Sequence, residues 1–286
     1  MRDMERILIR LLTELDIPEA MALKELAGWN QTEADWRRLL KLEPQGCFGA
    51  IRDGRLVGTT TTTTYGDELA WIGMVLVHPE SRRRGIASQL MATALDYLRE
   101  KVAIVKLDAT ALGKPVYEKL GFRVESRVER WKGVGISTSS DGAPGTIDDS
   151  TRRELFDLDR RAFTCDRSEL VAALIDDAAA ARPALVRSQE GSLTGYALAR
   201  SGTNADYVGP VVANSSDQID ALLDSILNEL KGRRVYIDFN TDSVADSRLL
   251  ANRGFIKERD LIRMCSGMPS KSTSPLVFAI AGPEIG

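Results

Sequence analysis

Histidine is nearly missing from this chain: His78 is the single one among 286 residues. A multi-histidine metal site is therefore excluded, as is any triad built on another histidine. Cysteine is scarce as well. Cys47, Cys165 and Cys265 are odd in number and far apart, so they suit neither a disulfide framework nor a metal cluster. Reduced, structural thiols are expected, and with them a cytoplasmic protein and no metal cofactor. Runs of about 18 apolar residues are lacking, so no membrane span is expected. Residues 1–15 mix charges with Ile7, Leu8, Ile9, Leu11 and Leu12, without the unbroken apolar core of a signal peptide. A basic surplus is lacking too. The 38 Lys and Arg face 41 Asp and Glu, a net charge of -3, which argues against a general nucleic-acid binder.

What is present points to a soluble globular chain long enough for two domains, 43% hydrophobic and 28% charged. One stretch stands out. Val75, Leu76 and Val77 close a β-branched and aliphatic strand, and His78-Pro79 follow. Arg82, Arg83, Arg84 and Gly85 then form a basic turn. An apolar-periodic helix starts at Ile86, Ala87 and Ser88 and continues through Leu90, Ala94 and Leu98. The first N–H groups of a helix have no internal partner, and the dipole puts positive charge there. Glycine lets a ligand approach the backbone, and arginines add donors for phosphate. A small phosphorylated ligand fits this turn. So, from sequence alone, does a solvated, salt-bridged one.

Around this stretch the chain alternates strands and helices. Strands are expected over 7–12, 47–52, 56–65, 69–77, 102–108 and 123–131. Asp53-Gly54 turns a hairpin, and six consecutive threonines (59–64) suit a strand. Asp16 and Thr32 open helices, the second through Thr32-x-x-Asp35, which resembles a capping box. Residues 133–150 have the Gly, Ser, Asp and Pro content of a linker. The expected division is a domain at 1–133, a linker at 134–150 and a second domain at 151–286.

The second domain repeats the first. Gly191-Ser192-Leu193-Thr194-Gly195 echoes Gly54-Arg55-Leu56-Val57-Gly58. Tyr207-Val208-Gly209 echoes Trp71-Ile72-Gly73, Asp238 echoes Asp108, and Gly254-Phe255 echoes Gly121-Phe122. Marks in one order at similar spacing indicate duplication. The basic turn is not repeated. Asn214-Ser215-Ser216-Asp217 stands there instead, and Asp217 would repel phosphate. One anion site is expected, not two. The second domain offers strands at 256–264 and 276–280 but only a weak opening strand near Thr146-Ile147, so the halves are expected to complete each other's sheets or pack edge to edge.

The strand order, Val-x-Pro, Arg-x-x-Gly-x-Ala and the downstream Tyr117-Glu118-Lys119-Leu120-Gly121-Phe122 together resemble the GNAT N-acetyltransferase superfamily. Gly28-Trp29-Asn30-Gln31, Leu107-Asp108-Ala109-Thr110 and Phe163-Thr164-Cys165-Asp166-Arg167 look like marks of a bacterial tandem-GNAT group. The resemblance implies an α/β (α+β) fold of two GNAT-like domains, each a mixed, mostly antiparallel sheet flanked by helices. It implies acetyl-CoA as donor and transfer to an amine of a small molecule or peptide, by direct attack in a ternary complex. Val75, Leu76 and Val77 would pair with the pantetheine, and Arg82 through Ser88 would cradle the pyrophosphate. Tyr117 would protonate the leaving thiolate, a role that suits a phenol of pKa about 10. Two positions depart from the family pattern: Thr110 stands where many relatives carry Asn, and Gly113 where Ala is common.

Other roles stay open. Glu68 and Asp108, near strand ends, are candidate general bases or structural carboxylates. Trp29, Asn30 and Gln31 are expected at one wall of the acceptor cleft, or as packed and capping residues. Asp166 and Arg167 reach the cleft from the second domain or form a local ion pair. Two other classes compete with an enzyme: a non-catalytic acetyl-CoA sensor, and an interaction protein that keeps only the fold. A fused tandem supplies the pairing that single domains obtain by dimerising, which favours a monomer over a dimer.

Overall fold

The computed structural model describes residues 7–137, 147–177, 180–267 and 275–286. The first half runs β1 (Leu8–Leu11), α1 (Ile17–Leu26), α2 (Glu33–Leu42), β2 (Phe48–Arg52), β3 (Arg55–Tyr65) and β4 (Leu69–Val77). It continues with α3 (Ile86–Leu98), β5 (Ile104–Ala109), α4 (Lys114–Lys119) and β6 (Arg123–Val134). The second half runs α5 (Asp149–Phe163), α6 (Ser168–Asp176), β7 (Ala184–Arg187), β8 (Leu193–Arg200) and β9 (Asp206–Ala213). It ends with α7 (Ser216–Glu229), β10 (Arg234–Asn240), α8 (Arg248–Ala251), β11 (Ile256–Gly267) and β12 (Val277–Ala279).

Local chemistry explains the boundaries. The Asp35 carboxylate accepts the Thr32 N–H at 2.7 Å while the Thr32 hydroxyl accepts the Asp35 N–H, so α2 opens on a true capping box. The β2–β3 hairpin turns at Asp53 and Gly54, both at positive φ (52° and 76°), which Asp and Gly tolerate. The threonine run is the buried middle of β3.

All twelve strands form one sheet, in the order β1-β2-β3-β4-β5-β11-β6-β10-β12-β9-β8-β7. The pairings β4–β5 and β9–β10 are parallel and the others antiparallel. The halves do complete each other's sheets. Strand β11 of the second half pairs with β5 of the first, and β6 of the first pairs with β10 of the second. β6 and β11 then pair with each other at the centre, with Val128 opposite Leu261, both buried. Each crossing is pinned by a buried ion pair between opposed residues. Arg263 donates to both carboxylate oxygens of Asp108 at 2.9 Å, and Arg130 to both of Asp238 at 2.8 and 2.6 Å.

Strand β6 ends at Val134 and α5 starts at Asp149, close to the expected linker, and the halves are intertwined through the shared sheet. One expectation changes. The opening strand near 146–147 is not there as read: Ile147 lies outside any strand, Thr146 lies outside the described residues, and the second half opens on α5. Asp148 explains that choice, because its carboxylate accepts the Thr151 N–H at 2.7 Å and caps the helix.

Candidate active site

Strands β4 and β5 pair over three residues only, Leu69–Trp71 with Ile104–Lys106. Beyond Trp71 they part into a wedge with no strand between them among the described residues. The parting follows from a bulge. The β3–β4 register shifts between Thr59 and Thr61, Met74 takes a φ of 49°, and the Thr59 hydroxyl donates to the Met74 carbonyl at 2.7 Å. Val75 and Val77 are half-buried along the wedge, and Leu76 is buried.

At the end of β4, Arg82, Arg83, Arg84 and Gly85 are exposed. Arg83 and Gly85 have positive φ (61° and 77°), and Arg82 Nε donates back to the Val77 carbonyl at 3.2 Å. Gly85 is the N-cap of α3 and offers no side-chain cap. Ile86 is buried and anchors the helix, Ala87 is half-buried, and Ser88 is exposed. The first N–H groups of α3 thus face an arginine-rich turn without an internal acceptor, a setting that suits an anion.

Tyr117 lies on α4, directly after β5. Its ring meets Phe122 edge-on at 6.2 Å. Burial pushes the phenol pKa up to about 12. Gly113 has a physical reason: a Cβ there would stand 2.9 Å from the Tyr117 ring. Thr110 receives the Gly113 N–H on its hydroxyl at 3.3 Å and so shapes the turn into α4.

The second half shows the same splay, filled. β9 and β10 pair in parallel over Asp206–Val208 with Val235–Ile237. Beyond that, β12 enters between them, Val277 opposite Val212, and Ala279 opposite both Val211 and Phe239. The counterpart of α3 is also closed, because the Ser215 hydroxyl caps α7 by accepting the Gln218 N–H.

The remaining expected residues fall elsewhere. Glu68 is exposed at the start of β4, its carboxylate accepting from the Cys165 thiol at 3.7 Å. It stands seven residues, about 23 Å of strand, from Val75. Asp108 is fully buried and holds Arg263 with both oxygens. Burial raises its pKa, Arg263 opposes that rise, and the pair reads as a structural clamp. Asn30 and Gln31 do not line the first half's wedge. Asn30 donates to the Ala205 carbonyl at 2.9 Å and Gln31 to Glu284 at 2.8 Å, so this loop covers the second half. Trp29 belongs to the same loop and is half-buried. Gln31 also lines a cavity of about 10 Å³ with Asn30, Asp35, Arg130, Arg200 and Tyr207, where its Oε1 has no partner; one water fits there. The C-terminal end of α5 makes the reciprocal move, since Phe163 packs edge-on to Tyr65 at 5.2 Å. Arg167 is buried, pairs with Asp159 at 2.8 Å and donates to the Gly286 carbonyl at 2.7 Å. Asp166 accepts the Ser168 N–H at 2.9 Å just before α6 and pairs with Arg160 at the surface.

Sequence reasoning missed the two clamp arginines and the place of β12. Arg130 and Arg263 each stand eight residues past the Phe of a Gly-Phe pair, a repeat that could have revealed them. Among the described residues no group of His, Cys, Asp or Glu is arranged to hold a metal ion, and no helix is long and apolar enough to cross a membrane.

Fold and site together define an acyltransferase of the GNAT class. Residues 10–122 match the Acetyltransferase (GNAT) family and residues 155–279 an Acetyltransferase (GNAT) domain, so the chain belongs to that superfamily as a tandem member. It is similar to the uncharacterized N-acetyltransferase YitH of Bacillus subtilis, 28% identical over 239 residues, 81% of this chain and 82% of the relative. It is also similar to a holothin acyltransferase of a Pseudoalteromonas species, 25% identical over 96% of this chain and 92% of the relative. Among solved structures, a putative acetyltransferase from Pyrococcus horikoshii superposes with a TM-score of 0.82 at 22% identity, covering 100% of this chain and 98% of that one.

Proposed function

We propose that the first half transfers the acetyl group of acetyl-CoA to the amine of an acceptor, and that the second half binds no donor. The observation that carries this reading is the open β4–β5 wedge beside the uncapped start of α3. The residues present fit the donor. The wedge side of β4 beyond Trp71 has no strand partner, which suits the pantetheine amides. The exposed turn from Arg82 to Ser88 offers main-chain N–H groups and guanidinium charge for a pyrophosphate. When bound, acetyl-CoA supplies a thioester carbonyl for attack.

This chain's residues then divide the work. β4 would hold the donor along the wedge, and its bulge at Met74 turns the backbone locally, so N–H groups of this strand could polarise the thioester carbonyl. The neutral acceptor nitrogen forms the new C–N bond as the C–S bond breaks. Tyr117 gives its phenolic proton to the departing sulfur, and the nitrogen gives a proton to solvent, so the phenol is restored from solvent in turn. A phenol with its pKa near 12 stays protonated across the physiological range, as a general acid must. No described carboxylate is given the role of base, since Glu68 is remote and Asp108 is committed to Arg263.

The test is CoA-thiol release by the full chain with acetyl-CoA and a panel of amines, wild type against Tyr117→Phe. Turnover that depends on an amine and falls strongly in the variant supports the reading. Equal turnover in the two proteins would remove Tyr117 from the mechanism.

A further inference from the structure

The wedge opens on two faces of the sheet. On one, Ala70, Ile72, Leu107 and Ala109 pack against Ile86 and Leu90 of α3. A donor held at the start of α3 occupies that side, so the attacking nitrogen must arrive from the other, which carries Trp71 and Met74. This step rests on the proposed acetyl transfer.

That second face is covered by the chain itself. After β12 the backbone leaves the second half's wedge and crosses to β4. The Trp71 indole donates to the Pro283 carbonyl at 3.0 Å, the Tyr65 hydroxyl to Ile285 at 2.6 Å and Arg167 to Gly286 at 2.7 Å. Arg200 holds the Ala281 carbonyl at 2.6 Å. The contact with β4 is close: a Cβ on Gly73 would lie 2.6 Å from the Glu284 carbonyl oxygen. The segment is also folded on itself, with the Gly286 N–H on the Gly282 carbonyl at 2.7 Å. Ala281 is 0% and Ile285 1% exposed, the burial of a core segment rather than of a loose flap. Glu284 is buried as well and is held by Arg200 and Gln31.

A peptide acceptor needs about 3.3 Å of free surface for each residue laid along a strand. Residues 281–286 occupy that surface over Trp71 and Gly73. We propose that segment 281–286 is a fixed wall of the acceptor site that restricts the reaction to small amines and shuts out extended peptides. The second half therefore contributes acceptor selection, not a second donor site.

Two measurements on the full chain test this. The first is kcat/KM, by thiol release, for small primary amines against peptides of about ten residues carrying a free N-terminus or a lysine. Small amines are expected to exceed the peptides by at least about 100-fold, and comparable values would overturn the proposal. Failure of every amine, large or small, would instead overturn the transfer reading and the proposal with it. The second is hydrogen exchange of the 281–286 amides, which needs no turnover. Protection equal to that of the central strands, unchanged by added peptide, is expected. Exchange within seconds, or loss of protection on adding peptide, would show a displaceable segment and overturn the wall.

Discussion

The two halves share one plan and differ at one place. In both, a parallel strand pair holds for three residues and then splays. In the first half the splay is empty of strand, and the next helix starts on an uncapped glycine among arginines. In the second, β12 fills the splay and Ser215 caps the helix. The lesson is that orphaned backbone groups are the resource of this fold. Where they remain orphaned they can serve a ligand; where the chain satisfies them with its own atoms they become structure.

The largest expected effect on binding breaks the comparison at the open site. Gly85→Glu adds bulk and negative charge at the start of α3 and should weaken acetyl-CoA binding by about 100-fold or more, about 3 kcal/mol by calorimetry. The reciprocal change, Asp217→Arg, should create no second site, because β12 still fills the wedge; the calorimetric stoichiometry should not rise.

Next comes chemistry. Tyr117→Phe should lower kcat by about 10²–10³-fold and leave the acetyl-CoA Kd within about twofold. The wild-type pH profile sharpens this. A phenol raised to about 12 by burial is protonated below that pH and loses its proton only above it. Turnover should therefore rise with pH as the acceptor amine deprotonates and show no fall from Tyr117 up to about pH 11.

The clamps test the likeness rather than the difference. Arg130→Met and Arg263→Met each leave a buried carboxylate unpaired and should cost about 3–5 kcal/mol in urea unfolding. Because the strands are exchanged, either variant should destabilise both halves in one transition; separate transitions would show independent domains. The smallest effect is at the helix starts. Ser215→Ala should cost about 1 kcal/mol of stability while leaving donor affinity unchanged, since that cap faces no ligand.

Much of this was legible in the sequence. The paired Gly-Phe marks gave the duplication, and Arg-x-x-Gly-x-Ala gave the exposed basic turn into an uncapped helix, which the second half replaces with a Ser215 cap. Thr32-x-x-Asp35 behaves as a local signal should, because a cap depends only on its neighbours. What is not legible is long-range. Nothing local to Trp29, Asn30 and Gln31 announces that this loop bonds Ala205 and Glu284 of the second half. Glu68 and Asp108 looked alike as strand-end carboxylates; one is solvent-exposed at the far end of β4, and the other is held by an arginine 155 residues away. Residues 276–280 read as a strand, yet no local pattern says that it enters a wedge.

The central claim is one donor site, in the first half. Titration of the full chain with acetyl-CoA by calorimetry tests it most directly. The account predicts one molecule bound per chain, its affinity lowered about 100-fold or more by Gly85→Glu. Two molecules per chain, or one bound as tightly by Gly85→Glu as by the wild type, would contradict it.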